Sequence, residues 1–468
     1  MTIRIALSLF ALLFAFISKA QNFSGYRSGN YTGVNGVFFN PANIADSRYK
    51  VDFNLVSVSG YVGNNQARFS LKNMGNSFQG DSIKNQLLGS SAGPSTGFVS
   101  TTVHGPSLLI SGGKKMSFAL TTRARLMANA RDIDGKLVDK ISSELNNDPT
   151  LPYTLSSTQN MQLTVNGWTE FGLSIARVIS DKDKHFFKAG LSVKYLAGAA
   201  NGYVDIGSLT GTLQEDPVLQ DPYFANTTGR IALGFGGARV SSLETDDIFN
   251  FESSGIGADI GLVYEFRPDH ANYKNEKGEW QRDRNKYKFK VGVALLDIGK
   301  IAYKRDQERS GAYAINITGN ERLPTSELNG VEIDDYKEFF NSRPEFFTPD
   351  NSLGGAEYKV SLPTTLQLDL DYNLHKNLYV SLASQLPVSS NAVFNSRYYS
   401  MVTLAPRYEG KGIGLSLPIH YNGLTKFNMG AAFRFGPLFF GSGSVLSALL
   451  GDSKQVDAHF GLRFGSLR

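Results

Sequence analysis

From Val51 to the last residues, apolar and polar side chains alternate in segments of roughly 9–11 residues, the length a tilted membrane-barrel strand needs. That period of two constrains the chain more than any other feature. Side chains on an extended strand point alternately to opposite faces, so each segment carries one apolar and one polar face. Leu366-Gln367-Leu368-Asp369-Leu370-Asp371-Tyr372-Asn373-Leu374 is the clearest case, and the turn His375-Lys376-Asn377 leads into Leu378-Tyr379-Val380-Ser381-Leu382 to predict a hairpin. Stretches 286–293, 426–435 and 456–464 repeat the pattern. Alternation alone fits both a soluble sandwich, polar face to water, and a membrane barrel, apolar face to lipid.

The N-terminus favours the barrel. Met1-Thr2-Ile3-Arg4 precedes an apolar run from Ile5 to Ile17, and Ser18-Lys19-Ala20 supplies small residues for cleavage after Ala20. This is the tripartite pattern of a secretory signal peptide over 1–20; the bland alternative is a buried N-terminal helix. The chain has no cysteine, which excludes a lipoprotein anchor, disulfides and thiolate metal sites. No second apolar run reaches transmembrane-helix length. With 48 Gly, 32 Phe and 21 Tyr against two Trp, composition leans to strand-forming aromatics and glycine, as in outer-membrane barrels. The net charge of +5 becomes +3 when Arg4 and Lys19 leave with the signal, too small and dispersed to argue for nucleic acid.

The pattern predicts an all-β, antiparallel transmembrane barrel over 51–468, with an N-terminal plug over 21–50. Candidate strands at 115–127, 162–180, 185–200, 229–240, 255–267, 286–298, 311–317, 357–374, 378–390, 398–408, 412–421, 425–436, 437–447 and 454–464 make fourteen. Segments 51–59, 66–72 and 97–112 are left over, so sixteen is the alternative count. With both ends of the barrel periplasmic, connections 128–161, 201–228, 268–285 and 318–356 fall outside the cell and the tight turns at 181–184, 375–377 and 409–411 fall inside. Tyr195, Tyr264, Phe266, Tyr372, Tyr398, Tyr399, Tyr408 and Tyr421 lie near strand ends, where an aromatic girdle belongs. Leu137, Ile141 and Leu145 predict one short amphipathic loop helix, and 334–340, with Phe339 and Phe340, another that ends near Pro344.

Alternation turns Arg123, Arg125, Glu170, Lys188, Lys194, Asp259, Glu265, Lys288, Lys290, Asp369, Asp371, Arg434, Asp457 and Arg463 inward. A selective ion pore carries one sign at its constriction. These signs are mixed, so the inward face reads as mutually paired charge packed against a plug, or, functionally, as a polar constriction on a transport path. His104, His185, His270, His375, His420 and His459 show no nucleophile or metal-ligand spacing, so nothing calls for an enzyme, a cofactor or a metal. The pairs Asp246-Asp247 and Asp334-Asp335 lack calcium-loop spacing and read as solvated carboxylates or helix starts.

The stretch Gly33-Val34-Asn35-Gly36-Val37-Phe38-Phe39-Asn40-Pro41-Ala42-Asn43-Ile44-Ala45 remains. Pro41 fixes φ and biases Asn40 away from the helical region, and five large apolar residues need cover. A plain apolar turn is one reading and a plug packed inside something larger is the other. A glycine-bearing segment closing in Asn40-Pro41-Ala42 before the first strand resembles the hatch of the FadL family of outer-membrane barrels, and equally that of PorV-type barrels of type IX secretion systems. Leu295-Leu296-Asp297-Ile298-Gly299 and Leu362-Pro363-Thr364 also look like stretches of uncharacterised relatives in this group. The resemblance implies a fourteen-stranded barrel plugged by its own N-terminus, with Gly33, Gly36, Phe38, Phe39, Asn40, Pro41 and Ala42 as the gating segment. It matches no lipid-binding lysine or arginine by position, and the chain runs four residues beyond the aromatic Phe464 that would close such a barrel. The implied function is a bacterial outer-membrane channel for hydrophobic or amphipathic small molecules, in contact with membrane lipid. The alternative is a PorV-like scaffold docking partner proteins in a secretion or envelope-assembly complex, and an outer-membrane hydrolase is a distant third.

Overall fold

Strand pairing runs unbroken from the first strand round to the last and back to the first. The computed structural model describes residues 23–468 apart from 73–93, 114, 136, 138–150, 157–159, 183, 217, 219–220, 240–251, 279 and 329–330. The signal-peptide stretch, Ile141, Leu145 and the Asp246-Asp247 pair lie outside the described residues.

Five crossings come first: β1 Tyr49–Asn64, β2 Ser95–His104 continued by Ser107–Gly112, β3 Met116–Ile133, β4 Met161–Lys182 and β5 His185–Glu215. Three interrupted crossings follow. β6 is Pro222–Gly237 then Ser253–Phe266, β7 is Phe289–Lys304 then Gly311–Ile317, and β8 is Phe347–Pro349, Glu357–Ser361 and Thr365–His375. The last six are β9 Leu378–Pro387, β10 Met401–Glu409, β11 Ile413–Ser416 with Ile419–Asn422, β12 Lys426–Met429 with Ala431–Phe435, β13 Leu438–Ser442 and β14 Gln455–Leu467. Each neighbouring pair is antiparallel, and β14 closes on β1 from Gln455↔Gly63 to Leu467↔Tyr49. The result is a closed antiparallel barrel of fourteen strands.

The expected total is met through two compensating differences. β1 and β2 take up the unassigned segments 51–59 and 97–112, 66–72 forms no strand beyond an isolated bridge of Phe69 to Ser453, and 229–240 with 255–267, and 286–298 with 311–317, prove to be two crossings rather than four. The pairings show why: the upper half of β5 pairs with Pro222–Gly237 and its lower half with Ser253–Phe266, so both pieces continue one strand down the wall. Sixteen strands is therefore not the arrangement.

The strand ends Gly112 and Met116, and Lys182 and His185, and the tight turns at 376–377, 410–412 and 436–437 gather at one end with Tyr49 and Leu467. The connection 267–288 is at this end too, since Phe266 pairs with His185 and Phe289. This corrects its expected place among the outer loops; charge and turn residues mark a loop as solvated without saying which end it occupies. β1, β3, β5, β7, β9, β11 and β13 run to the opposite, loop end. There α1, Tyr336–Ser342, follows Asp334-Asp335 and stops before Pro344 as expected, and α2 spans Val445–Leu450.

Outward positions are mostly apolar around the wall, including Phe53, Phe118, Leu173, Val193, Ile260, Leu404, Phe440 and Phe460, all exposed. A belt this apolar suits lipid rather than water. Tyr195, Tyr372, Tyr408 and Tyr421 stand exposed on it. Tyr398 and Tyr399 do not, being buried with Phe98 inside the loop-end mouth. The preceding stretch bends into that mouth instead of extending the strand, so β10 starts only at Met401.

Candidate functional site

The N-terminal segment lies inside the barrel and touches the wall on every side. Gly33–Phe38 and Pro41–Ile44 are two short 3-10 helices, all but Asn43 buried. Asn40 is the clip. Its Oδ1 accepts from the Ala42 N–H at 2.9 Å, capping the second helix, while its Nδ2 donates to the carbonyls of Leu262 on β6 and Val293 on β7 at 3.2 and 3.3 Å. The wall opposite is hollowed to fit: Gly190 and Gly261 are cross-strand partners, and a Cβ on either would strike Pro41 or Asn40. Gly33 takes φ +56° against Asp52, whose Oδ1 accepts from the Val34 N–H at 2.7 Å. Gly36 packs on Thr32 and Asn43. Phe38 stacks on His104 at 3.9 Å with Arg123 5.0 Å from its ring, and Phe39 meets Phe23 edge-on at 6.2 Å and has Arg27 5.4 Å away.

Around this segment the inward charges pair in groups. Arg123 and Arg125 each bind both Glu170 and Asp297 at 2.6–3.0 Å, and Lys194 reaches Asp259 and Asp297 at 2.7 Å. Three cations thus face three carboxylates, all buried. Arg407 joins Asp371 at 2.6 Å and Glu409 at 3.2 Å, with Lys290 3.6 Å from Asp371, and Glu409 accepts from the Asn30 N–H. Arg267 bridges Glu265 and Asp46, Lys188 donates to the Ala45 carbonyl, and Arg463 pairs with Asp52 while donating to the Tyr31 carbonyl at 2.6 Å. Arg27 lies 3.7 Å from Asp369. Arg434 donates to the carbonyls of Lys411 and Gly410, beneath Tyr31. Asp457 accepts from Ser444. Lys288 departs from its expected inward place: its ammonium sits 4.8 Å from the outward Tyr372 ring and donates to the Leu374 carbonyl at the turn end. It precedes the first residue of β7, so strand alternation does not govern it.

Sequence reasoning missed Asp297, the hub of the central network. Simple alternation would turn it to lipid, but β7 bulges there, Leu295 pairing with Ile260 and Ile298 with Ala258, and Asp297 adopts φ +57°. The bulge sends two successive residues inward. Asp46, Asp52, Arg267, Arg407 and Glu409 were likewise not singled out, since each lies at a strand end where the period fades.

Two further segments complete the closure. Residues 388–400 fold into the loop-end mouth, where the Val393 and Phe394 carbonyls accept from Thr164 and Asn201 and Arg125 donates to the Tyr398 hydroxyl at 2.7 Å. Across the turn end, 267–288 straps the mouth: Arg48 donates to the carbonyls of Arg282 and Arg284, Tyr31 to that of Asp283, and Arg282 to that of Gly113 on the far side. The interior cavities lined by Tyr26 and Arg407, and by Phe23 and Gln367, measure only about 30 and 40 Å³. Each holds little more than one water.

The roomy cavity is elsewhere. About 410 Å³ opens at the loop end, lined by Leu163, Val204, Ile231, Ile315, Phe340 and Phe347 among others, with Thr227 and Tyr336 bringing the hydroxyls. The register places its floor on the outer face of the wall: Leu163 pairs with Val204, and Val204 with Leu233, whereas the adjacent Thr164 and Tyr203 face the interior. The expected loop residues Leu137 and Phe340 are buried over it, with Phe339 packed alongside. Arg309 fastens this roof, binding Asp306 and Asp334 at 2.7 Å and the Gly237 carbonyl at 3.0 Å. Burial works against the charge on Asp306, and the hydrogen bonds from Arg309 outweigh it and hold the carboxyl below its ordinary range.

A sequence model for a family described as a family of unknown function (DUF5723) matches residues 41–443. No curated protein matches the chain. Among solved structures it is similar to the toluene transporter TbuX of Ralstonia pickettii, at 12% identity over 94% of this chain and 95% of that one, with a TM-score of 0.42. It is similar to a Pseudomonas aeruginosa FadL homologue, at 11% identity over 96% and 99%, with a TM-score of 0.43. The P. putida toluene transporter TodX gives 10% identity over 96% and 97%, with a TM-score of 0.41.

Proposed function

We propose, from the premise that this chain belongs to the DUF5723 family, that it is a non-enzymatic outer-membrane barrel that takes up hydrophobic or amphipathic small molecules in the manner of FadL-type channels. The observation that carries this reading is the apolar cavity of about 410 Å³ at the loop end, within the size of small-molecule sites and nearly free of polar groups. Residues 1–20 export the chain, the turn end faces the periplasm with both ends of the barrel, and the cavity faces the medium, where it makes first contact with the ligand. Residues 21–50 act as a hatch. Gly33, Gly36, Phe38, Phe39, Asn40, Pro41 and Ala42 seat it, and the lumen charges at Arg123, Arg125, Lys290, Asp369, Asp371 and Arg434 hold it until a passage opens, with Lys288 at the rim.

Uptake of a labelled lipophilic compound by cells with and without the gene tests the reading. The expected result is faster uptake with the gene for some members of a substrate panel; equal rates across the panel would sink it. Replacing Pro41 or deleting the segment is expected to raise antibiotic sensitivity in a correctly assembled barrel. A second reading is favoured by the ion pairs that tie the N-terminal segment to the wall: a PorV-like scaffold that docks partner proteins in an envelope complex. A detergent pull-down that recovers the barrel alone counts against that alternative.

A further inference from the structure

The lipid-facing wall carries an open groove well away from the loop-end cavity. On the outer face of β2–β5 near the turn end, Phe118, Leu120, Leu173, Ile175, Leu191 and Val193 border an open apolar depression of about 510 Å³. Below it the wall changes character. Arg177 follows Leu173 and Ile175 on the outward face of β4, two residues or roughly 7 Å nearer the turn end, and is exposed. Lys115 lies beside it, its carbonyl accepting from the Val178 N–H at 2.8 Å, and its side chain is exposed. Lys182 and Lys184 stand exposed further out on the same hairpin, with Asp181 exposed and Asp183 between them in the sequence. Among the described residues neither Arg177 nor Lys115 makes an ion pair. Elsewhere at the turn end Phe266 and Phe289 stack at 5.4 Å, Tyr372, Tyr408, Phe435 and Phe464 are exposed, and Lys288 lies over the Tyr372 ring with no groove beside it in the wall described.

The geometry points to a phospholipid site on this sector, in which an acyl chain fills the groove and the anionic headgroup rests on Arg177 and Lys115. An apolar trough ending in two unpaired cations at headgroup depth has the polarity of an anionic glycerophospholipid, apolar along the wall and negative at the rim. Because the groove opens at the turn end, its occupant comes from the periplasmic leaflet. The inference rests on the outer-membrane placement proposed above and goes beyond it, since ordinary boundary lipid requires neither a groove nor cations set at the end of one.

The test uses the full-length barrel reconstituted in nanodiscs of equal phosphatidylglycerol and phosphatidylcholine with matched acyl chains, then released for native mass spectrometry of retained lipid. Each basic residue near a membrane surface contributes roughly fivefold in preference for anionic lipid. The wild-type protein is expected to retain one phosphatidylglycerol preferentially, Arg177→Gln with Lys115→Gln to lose about 25-fold of that preference, and Lys376→Gln, on a turn away from the groove, to keep it. Val193→Trp, which fills the groove, should reduce retention of both lipids. Equal retention of the two headgroups by wild type, or an undiminished preference in the double variant, overturns the site. Failure of the folded chain to insert into bilayers at all would instead overturn the membrane placement.

Discussion

Leu163 and Thr164 are consecutive residues of β4 that serve two opposite environments: Leu163 floors the apolar cavity on the outside of the wall, and Thr164 faces the interior packed with charge and ordered backbone. The cavity has room, almost no polar group, and a roof of loop segments held by Arg309. The two interior cavities described above are each little larger than a water, and the inward charges reach one another and the N-terminal segment directly. Holding an apolar molecule requires desolvated surface and space, which only the outer side provides. Moving one through the barrel requires an ion-paired plug to shift, and that is a conformational event rather than a binding event.

Substitutions on the two sides should therefore separate stability from ligand capture. The largest effect is expected inside. Asp297→Asn removes the carboxylate shared by Arg123, Arg125 and Lys194 and leaves buried positive charge, so unfolding in urea should show a loss of about 3–5 kcal/mol. A loss under 1 kcal/mol would mean the network is solvated. Outside, Ile315→Asp puts a charge into the cavity, and affinity for a fluorescent lipophile should fall at least tenfold while the unfolding midpoint changes little. Loss of folding without loss of binding would reverse the assignment of the two regions. At the contact between segment and wall, Asn40→Ala removes a helix cap and two wall hydrogen bonds, worth about 1–2 kcal/mol. Hydrogen exchange in 33–45 should quicken with exchange in β1–β14 unaltered, and Gly261→Ala should do the same by striking Asn40. The smallest effect is at the roof. Asp306 carries a lowered pKa, so its contribution is present above the ordinary carboxylate pKa and is lost as pH falls through the folded value. Exchange in 305–310 should rise in acid below roughly pH 4, and Arg309→Gln should abolish that dependence.

How much of this was legible in the sequence follows from the period of two. Alternation gave the barrel, the inward placement of Arg123, Glu170, Lys194 and Arg463, and the apolar belt, because a strand's faces are fixed by residue parity. It could not join 229–240 to 255–267 into one crossing, since an insertion and a second strand look alike until pairing with β5 is known. It failed at Asp297, where one bulge resets parity, and at Tyr398 and Tyr399, which precede the strand they were counted in. The Asn40-Pro41 turn stood out by itself, yet the signal that it is cradled lay far away in Gly190 and Gly261, two glycines unremarkable among 48. The cavity was half visible: Leu137 and Phe340 marked its roof, but Leu163 lay in a strand like any other and Val204 fell in the stretch 201–228 expected to be an outer loop, which the structure shows to continue β5.

The seam between β1 and β14 has a consequence for assembly. Asp52 on the first strand and Arg463 on the last pair across it, and each also holds the N-terminal segment, Asp52 through the Val34 amide and Arg463 through the Tyr31 carbonyl. A cylinder that closed with the segment outside would leave both ions short of partners at the joint. Sealing the circumference and seating the interior are thus chemically one step, and the ion pair acts as a latch that rewards only the correctly loaded barrel.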